Sequence, residues 1–308
     1  MSSFDDPRWD DPREGSTRER GGGLDRDPRD LDAVDPRDVF TRGLDLPRGL
    51  DREPVSVGDA HYDLRGSEVR TLATVGAFRV VPIDDLRDQG DRAADLWRGD
   101  LEHLLSLRLI RHVASVDRET GRDLVTLTER GRELLESHRS PDHEPRQAFH
   151  AGILRERELT HDAQLQRAYL VAAERLVEQN AHLERVILEQ DLRRDYQLFI
   201  QEPNRGRADS DGRPARDGDE IRRWAEDHDL PCIDGRVQFP DFQIEYLWPD
   251  GRRDIENVEV MTQHYRGAHV TGKARAGFTR FRAIGARVGG RTGRCGKFDP
   301  SLAEELLR

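Results

Sequence analysis

Apolar positions along the chain recur with structural periods only from about Val57, and the stretch before it is built of Asp, Arg, Pro and Gly. The triplet Asp-Pro-Arg recurs, as at Asp6, Asp11 and Asp35, with few apolar residues between. Such a stretch buries too little surface to offset its ordering entropy. Residues 1–55 are therefore expected to form a disordered, highly charged tail, although Val39 to Leu50 could dock as a short segment on a partner or on the next domain.

Between His61 and His138 the pattern changes. Val69, Leu72, Ala73 and Val75 fall on one helical stripe, with Ser67 as the expected cap and Gly76 as the expected stop. Phe78 to Val81 reads as a short strand, Pro82 opens a brief helix through Leu86, and a third helix is expected over Arg92 to Ser106 with Leu96, Leu101, Leu104 and Leu105 inward. Two apolar runs, Leu109–Val116 and Leu124–Leu127, flank a polar turn and predict a hairpin, after which Thr128 caps a closing helix, Glu129 to Ser137. This order within residues 57–139 resembles the winged helix-turn-helix domain of bacterial regulators, and the run Leu127-Thr128-Glu129-Arg130-Gly131 resembles the joint that follows the wing. The resemblance implies a third helix in the major groove and a wing tip on the DNA backbone. It nominates Arg92, Arg98, His103 and Arg108 on the helix and Arg118 and Arg122 on the wing, where arginine forks suit guanine edges and phosphates.

In residues 146–308 a helix from His161 to Gln179 is followed by a strand, His182 to Glu189, and a helix from Leu192. A polar loop, Pro203 to Gly218, and a helix, Glu220 to His228, lead to two strand-like runs, Phe239–Trp248 and Ile255–Thr262. A further helix is expected around Lys273 to Ala283. Pro240-Asp241 on one strand and Glu259 on the next resemble the core of PD-(D/E)XK nucleases, and a winged helix ahead of such a core resembles the replication-relaxation family of mobile elements such as plasmids. The expected fold class is thus α/β (α+β). In such a core, carboxylates on adjacent strands share a hard divalent cation, Mg²⁺ or Mn²⁺, while an ammonium stabilises the phosphate. Asp241 and Glu259 are the metal-ligand candidates, with Glu245 expected on the face of Asp241 and Glu174 a further carboxylate. The motif's lysine should stand at position 261, where the chain has Met261. Either the site is vestigial or its ammonium comes from elsewhere, and Lys273 is then the catalytic candidate.

Composition sharpens this picture. The net charge of -11 argues against a protein that merely coats nucleic acid, yet Thr262 to Lys297 holds nine basic residues and no acidic one. That window adds Arg266, Arg275, Arg280 and Arg282 to the expected DNA contacts, with Phe278 and Phe281 either in the core or stacked on a base. No apolar run reaches membrane-spanning length, the first residues lack the order of a secretory signal, and Cys232 and Cys295 read as reduced thiols, so a cytoplasmic protein is expected. There is no GxxxxGK[ST] loop for a nucleotide cofactor. The expected function is that of a double-stranded DNA-binding regulator or accessory factor that needs no cofactor to bind, the alternative being a metal-dependent endonuclease. Leu165 to Leu176 and Leu302 to Leu307 are candidate homodimer surfaces.

Overall fold

A computed structural model describes residues 35–86, 94–113, 123–206, 216–261 and 275–282, with the side chains of residues 94–98 and of Arg157 outside that set. The described residues begin at Asp35, inside the segment expected as a tail. Asp35 caps a 3-10 turn, Pro36–Thr41, by accepting from the Arg37 backbone N–H at 2.9 Å. Val39, Phe40, Leu44 and Leu46 are buried. Phe40 sets its edge on the Phe78 ring (centroids 5.4 Å apart, 87°) and lies against Tyr169 at 5.2 Å, whose hydroxyl donates to the Pro36 carbonyl at 2.5 Å. A handful of apolar side chains, too sparse to show a period, thus turn the end of the expected tail into a strap across the folded chain. Strands β1 (Glu53–Val57) and β2 (Ala60–Leu64) follow as an antiparallel hairpin turning at Gly58, whose φ of 54° suits glycine.

Helix α1 (Gly66–Phe78) starts after Arg65, whose backbone N–H donates to the Glu68 carboxylate at 3.0 Å; Ser67 lies inside the helix. Gly76 does not stop it either. A Cβ there would meet Leu127 and Phe149 at 3.0 Å, so this glycine serves close packing, and the helix ends at Phe78. Then come β3 (Val80–Pro82), a 3-10 turn over Ile83–Leu86, α2 (Ala94–Ser106), β4 (Ile110–His112), β5 (Leu124–Leu127) and α3 (Glu129–Ser137). The Thr128 hydroxyl caps α3 by accepting from Gly131 N–H at 3.1 Å. All pairings in the sheet β3–β5–β4 are antiparallel.

The second half holds α4 (Leu159–Glu178), β6 (His182–Leu188), α5 (Glu189–Gln201) and α6 (Gly218–Asp227). A two-residue hairpin, β7 (Cys232–Ile233) and β8 (Arg236–Val237), precedes β9 (Phe242–Leu247), β10 (Arg253–Met261) and β11 (Thr279–Arg282). The main sheet runs β11–β10–β9–β6, antiparallel except for the parallel pair β10–β11. The helix expected over Lys273 to Ala283 is corrected in its second part: Thr279–Arg282 is a strand, with Phe278 and Phe281 both buried in the core. Parallel pairing requires a crossover between β10 and β11.

Helix α4 joins the two halves. Its buried face (Leu165, Ala168, Tyr169, Ala172, Leu176) covers one side of the main sheet through Val186, Phe242, Ile244, Val258 and Val260, and the same cluster continues through Phe78 and Phe40. One hydrophobic core therefore runs from Val39 to Phe281, and residues from Asp35 onward form a single unit. A smaller cluster of Leu192, Trp224, Ala225, Leu230 and Phe239 holds α5 and α6 on the other side. The outer edge of β6 is sealed by Gln147, whose amide accepts from Val186 N–H at 2.9 Å and donates to Val186 C=O at 3.0 Å. The fold is mixed α/β of the α+β kind, and no helix among the described residues is long and apolar enough to cross a membrane.

Candidate functional site

Asp241 stands just ahead of β9, where the backbone holds it on two sides. Its N–H donates to Val258 C=O at 3.0 Å, and its carbonyl accepts from Glu189 N–H at 2.9 Å at the start of α5. The side chain is only 5% exposed. Its Oδ2 accepts from Val260 N–H at 2.6 Å, taking over a ladder bond beyond the end of β9, and His161 Nε2 lies 3.2 Å from the same oxygen. His161 belongs to the first turn of α4, with its Nδ1 3.6 Å from Asp162 Oδ1. Burial alone would depress this imidazole. The Asp241 charge, with hydrogen bonds to Asp162 and Asp241, outweighs burial and holds His161 well above its ordinary value of 6.5.

A raised histidine contributes stability that is complete below its unfolded pKa, near 6.5, and lost as pH rises through the higher folded value. Denaturant titrations are expected to show stability falling as pH rises above about 6.5. The slope should flatten in His161→Gln; an unchanged slope would remove His161 as its source.

Glu259 on β10 is 1% exposed and pairs in register with Arg280 on the neighbouring β11; Met261 pairs with Arg282. Lys273 and Arg266 lie outside the described residues. Glu245 does not join Asp241. It forms a two-pronged pair with Arg185, at 2.8 and 2.7 Å, and opens on a different cleft, because Asp241 sits before the strand's regular alternation begins. Glu174 is exposed and about 20 Å along the helix axis from His161. The divalent cation implied by the nuclease resemblance therefore finds a poor fit: the Asp241 oxygen aimed at the site already receives two donors. Among the described residues no three His, Cys, Asp or Glu side chains converge as a metal site.

A cleft of about 680 Å³ opens beside Asp241, lined by Arg79, Arg155, Arg193, Glu158, Glu189 and His161. Arg79 enters it from the end of α1 on a left-handed backbone, φ 66°. Its guanidinium donates to Gln190 Oε1 at 2.8 Å and to the Ala151 carbonyl at 3.3 Å. Burial pulls it below the ordinary arginine value, against the charges of Asp162, Asp191 and Glu129. The polar chain continues through Gln190 to His150 Nδ1 (3.1 Å), from His150 Nε2 to Asp191 (3.1 Å), and from Asp191 to Arg194 (3.2 Å). It ends at a second cleft, of about 580 Å³, lined by Arg139, Arg146, Arg185, Arg194 and Arg253 among acidic neighbours.

Comparison with family models, with curated proteins and with solved structures finds no match to this chain.

The expected DNA contacts divide accordingly. His103 does not face outward: its Nδ1 lies 2.8 Å from Glu68 Oε1, because a fully buried carboxylate draws in every donor within reach. Arg108, at φ 57° after α2, is exposed. Arg275 pairs with Asp234 at 2.9 Å, and Arg280 and Arg282 are partly buried on β11. Arg92, Arg118, Arg122 and the Arg98 side chain lie outside the described residues. Sequence reasoning missed His161 and Arg79. The signal available was a His-Asp pair opening the helix ahead of the strands, and an arginine where a helix must turn sharply into a strand.

Proposed function

We propose that the chain is a double-stranded DNA-binding regulator or accessory factor of a mobile genetic element, in which a winged helix reads the site and a nuclease-like core grips the backbone without cutting it. The observation that carries the reading is the sheet β3–β5–β4, in which the short strand after α1 pairs with the second arm of the hairpin, as in winged helices. It sets three helices and a hairpin in the order that such readers use. Support for the nuclease-like core comes from α4, the antiparallel run β6–β9–β10 and the parallel β11, with Asp241 just ahead of β9 and Glu259 on the neighbouring β10. Support for the absence of cutting comes from Met261 in the lysine position and from the two donors on Asp241 Oδ2. The cleft beside Asp241 carries Arg79 from the first half and Arg155 and Arg193 from the second, cations of the kind that meet phosphates.

Anisotropy titrations of the full chain on duplex DNA are expected to show binding that survives EDTA and falls steeply between about 50 and 200 mM salt. Arg98→Ala should weaken binding to a selected site by about 1–3 kcal/mol while leaving random duplex nearly unaffected. Equal losses on both would remove α2 as the reading helix. Nicking of supercoiled DNA in Mg²⁺ that is abolished by Asp241→Asn would replace the proposal with an endonuclease.

A further inference from the structure

We infer that Arg65 and Asp100 fix the rotation of α2, and with it the face that this helix turns outward, so that they are positioning residues for site selection that need not touch DNA. The pair sits where the β1–β2 hairpin opens. Glu53 pairs with Leu64, which sets Arg52 and Arg65 next to each other at the open end, and Gly66 N–H donates to the Gly49 carbonyl at 2.8 Å just beyond it. The apolar face of the hairpin, Val55, Tyr62 and Leu64, is buried in the core, so this end is a fixed reference point. From it the Arg65 guanidinium reaches α2, donating from Nε to Asp100 Oδ1 at 2.8 Å and from a terminal nitrogen to the same oxygen. Three residues on, His103 Nδ1 faces the Glu68 carboxylate, which Arg52 also holds.

Apolar packing alone would leave α2 free to turn. Leu101 and Leu104 join the core, but burial of apolar surface has no direction, and a helix can roll on such a contact while keeping most of it covered. Asp100 removes that freedom. It is only 3% exposed, and a buried carboxylate needs its donors. A shift of α2 by one residue turns it about 100°, which would carry Asp100 away from Arg65 and His103 away from Glu68 together, stranding charge in the core. Two residues from Asp100 in either direction lie about 200° around the helix. Position 98 and the exposed Glu102 therefore share the side opposite the clamp, the side that a groove would meet. The hairpin thus sets what the reading helix presents without adding a contact of its own.

The inference rests on α2 being the reading helix, and its test separates the two. In the full chain, Arg65→Met, Asp100→Leu and the double variant are compared with wild type. Each single change strands one charge and should lower the urea midpoint; the double leaves none and should recover most of the loss. A pair that only stabilised the fold would regain its function along with its stability. Here the double variant is expected to regain stability alone. Amide hydrogen exchange in α2 should run at least ten-fold faster than in wild type while α1 and α3 keep wild-type rates, and the ratio of affinities for a selected over a random duplex should fall at least ten-fold. Wild-type exchange in α2 of the folded double variant overturns the inference, as does an undiminished ratio. If wild type itself prefers no duplex, the DNA reading fails and exchange in α2 alone decides the inference. Should the double variant not fold, Arg65→Lys, which keeps the charge but not the planar fork, takes its place with the same expectations.

Discussion

Phe40→Ala is expected to lower stability by about 3–5 kcal/mol, the cost of removing a large buried ring and leaving a cavity behind. The ring is almost fully buried and touches Phe78 from α1 and Tyr169 from α4, which themselves meet at 5.3 Å. Three segments from distant parts of the chain thus share one aromatic cluster, and its loss cannot be repaired by local collapse. Domains retain only about 5–15 kcal/mol in total, so the change removes a large fraction of the whole. Because the core is continuous from Val39 to Phe281, both halves should shift together. Urea unfolding followed by far-UV circular dichroism and by tryptophan fluorescence should give coincident transitions, displaced to lower urea in the variant. A loss below about 1 kcal/mol would mean that the strap lies on the core without belonging to it.

The second large effect is expected at Glu68, a fully buried carboxylate on α1. It accepts from Arg52 at 2.6 and 3.1 Å and from Arg65 N–H at 3.0 Å, and it faces His103 Nδ1 at 2.8 Å. Burial would raise its pKa; the Arg52 hydrogen bond, the Arg65 N–H and His103 outweigh burial and hold it below the ordinary value. Its contribution is therefore present above the unfolded pKa, near 4.3, and disappears as pH falls through the lower folded value. Glu68→Ala strips three partners at once and leaves the Arg65 N–H without an acceptor. A destabilisation of about 3 kcal/mol is expected, at the low end for a broken buried pair because Arg52 is 40% exposed and regains water. Glu68→Gln, which keeps an acceptor, should lose less. Chemical denaturation at pH 7 and again near pH 3 checks both statements, since the difference between wild type and Glu68→Ala should shrink in acid.

What could be read in the sequence was what local chemistry decides. The hairpin and the Thr128-capped helix are legible because a cap, a turn and an apolar alternation each lie within a few residues. The order of strands leading to β10 is legible for the same reason. The helix expected after Lys273 failed in its second part because alanine and arginine favour helix locally, while pairing with β10 decides for a strand. Gly76 misled in the opposite sense: a residue that usually ends helices is there to admit Leu127 and Phe149. At the candidate site, Asp241 was placed by its own Pro-Asp turn and strand. His161 was invisible, because only the packing of α4 across the sheet brings it to that carboxylate. His103 was taken for an outward residue because the stripe of α2 says nothing about the acid buried in α1.

The Tyr169 hydroxyl and the Pro36 carbonyl that it bonds are 133 positions apart. On a ribosome, the strap and the first helix therefore emerge long before the helix that completes their core, and they must wait with Phe40 and Phe78 uncovered. Nascent chains stopped before residue 159 should remain sensitive to protease, and chaperone demand should peak in that interval. A gene fragment carrying the first half alone would inherit the same exposure permanently, which makes that half a poor cassette for transfer between proteins.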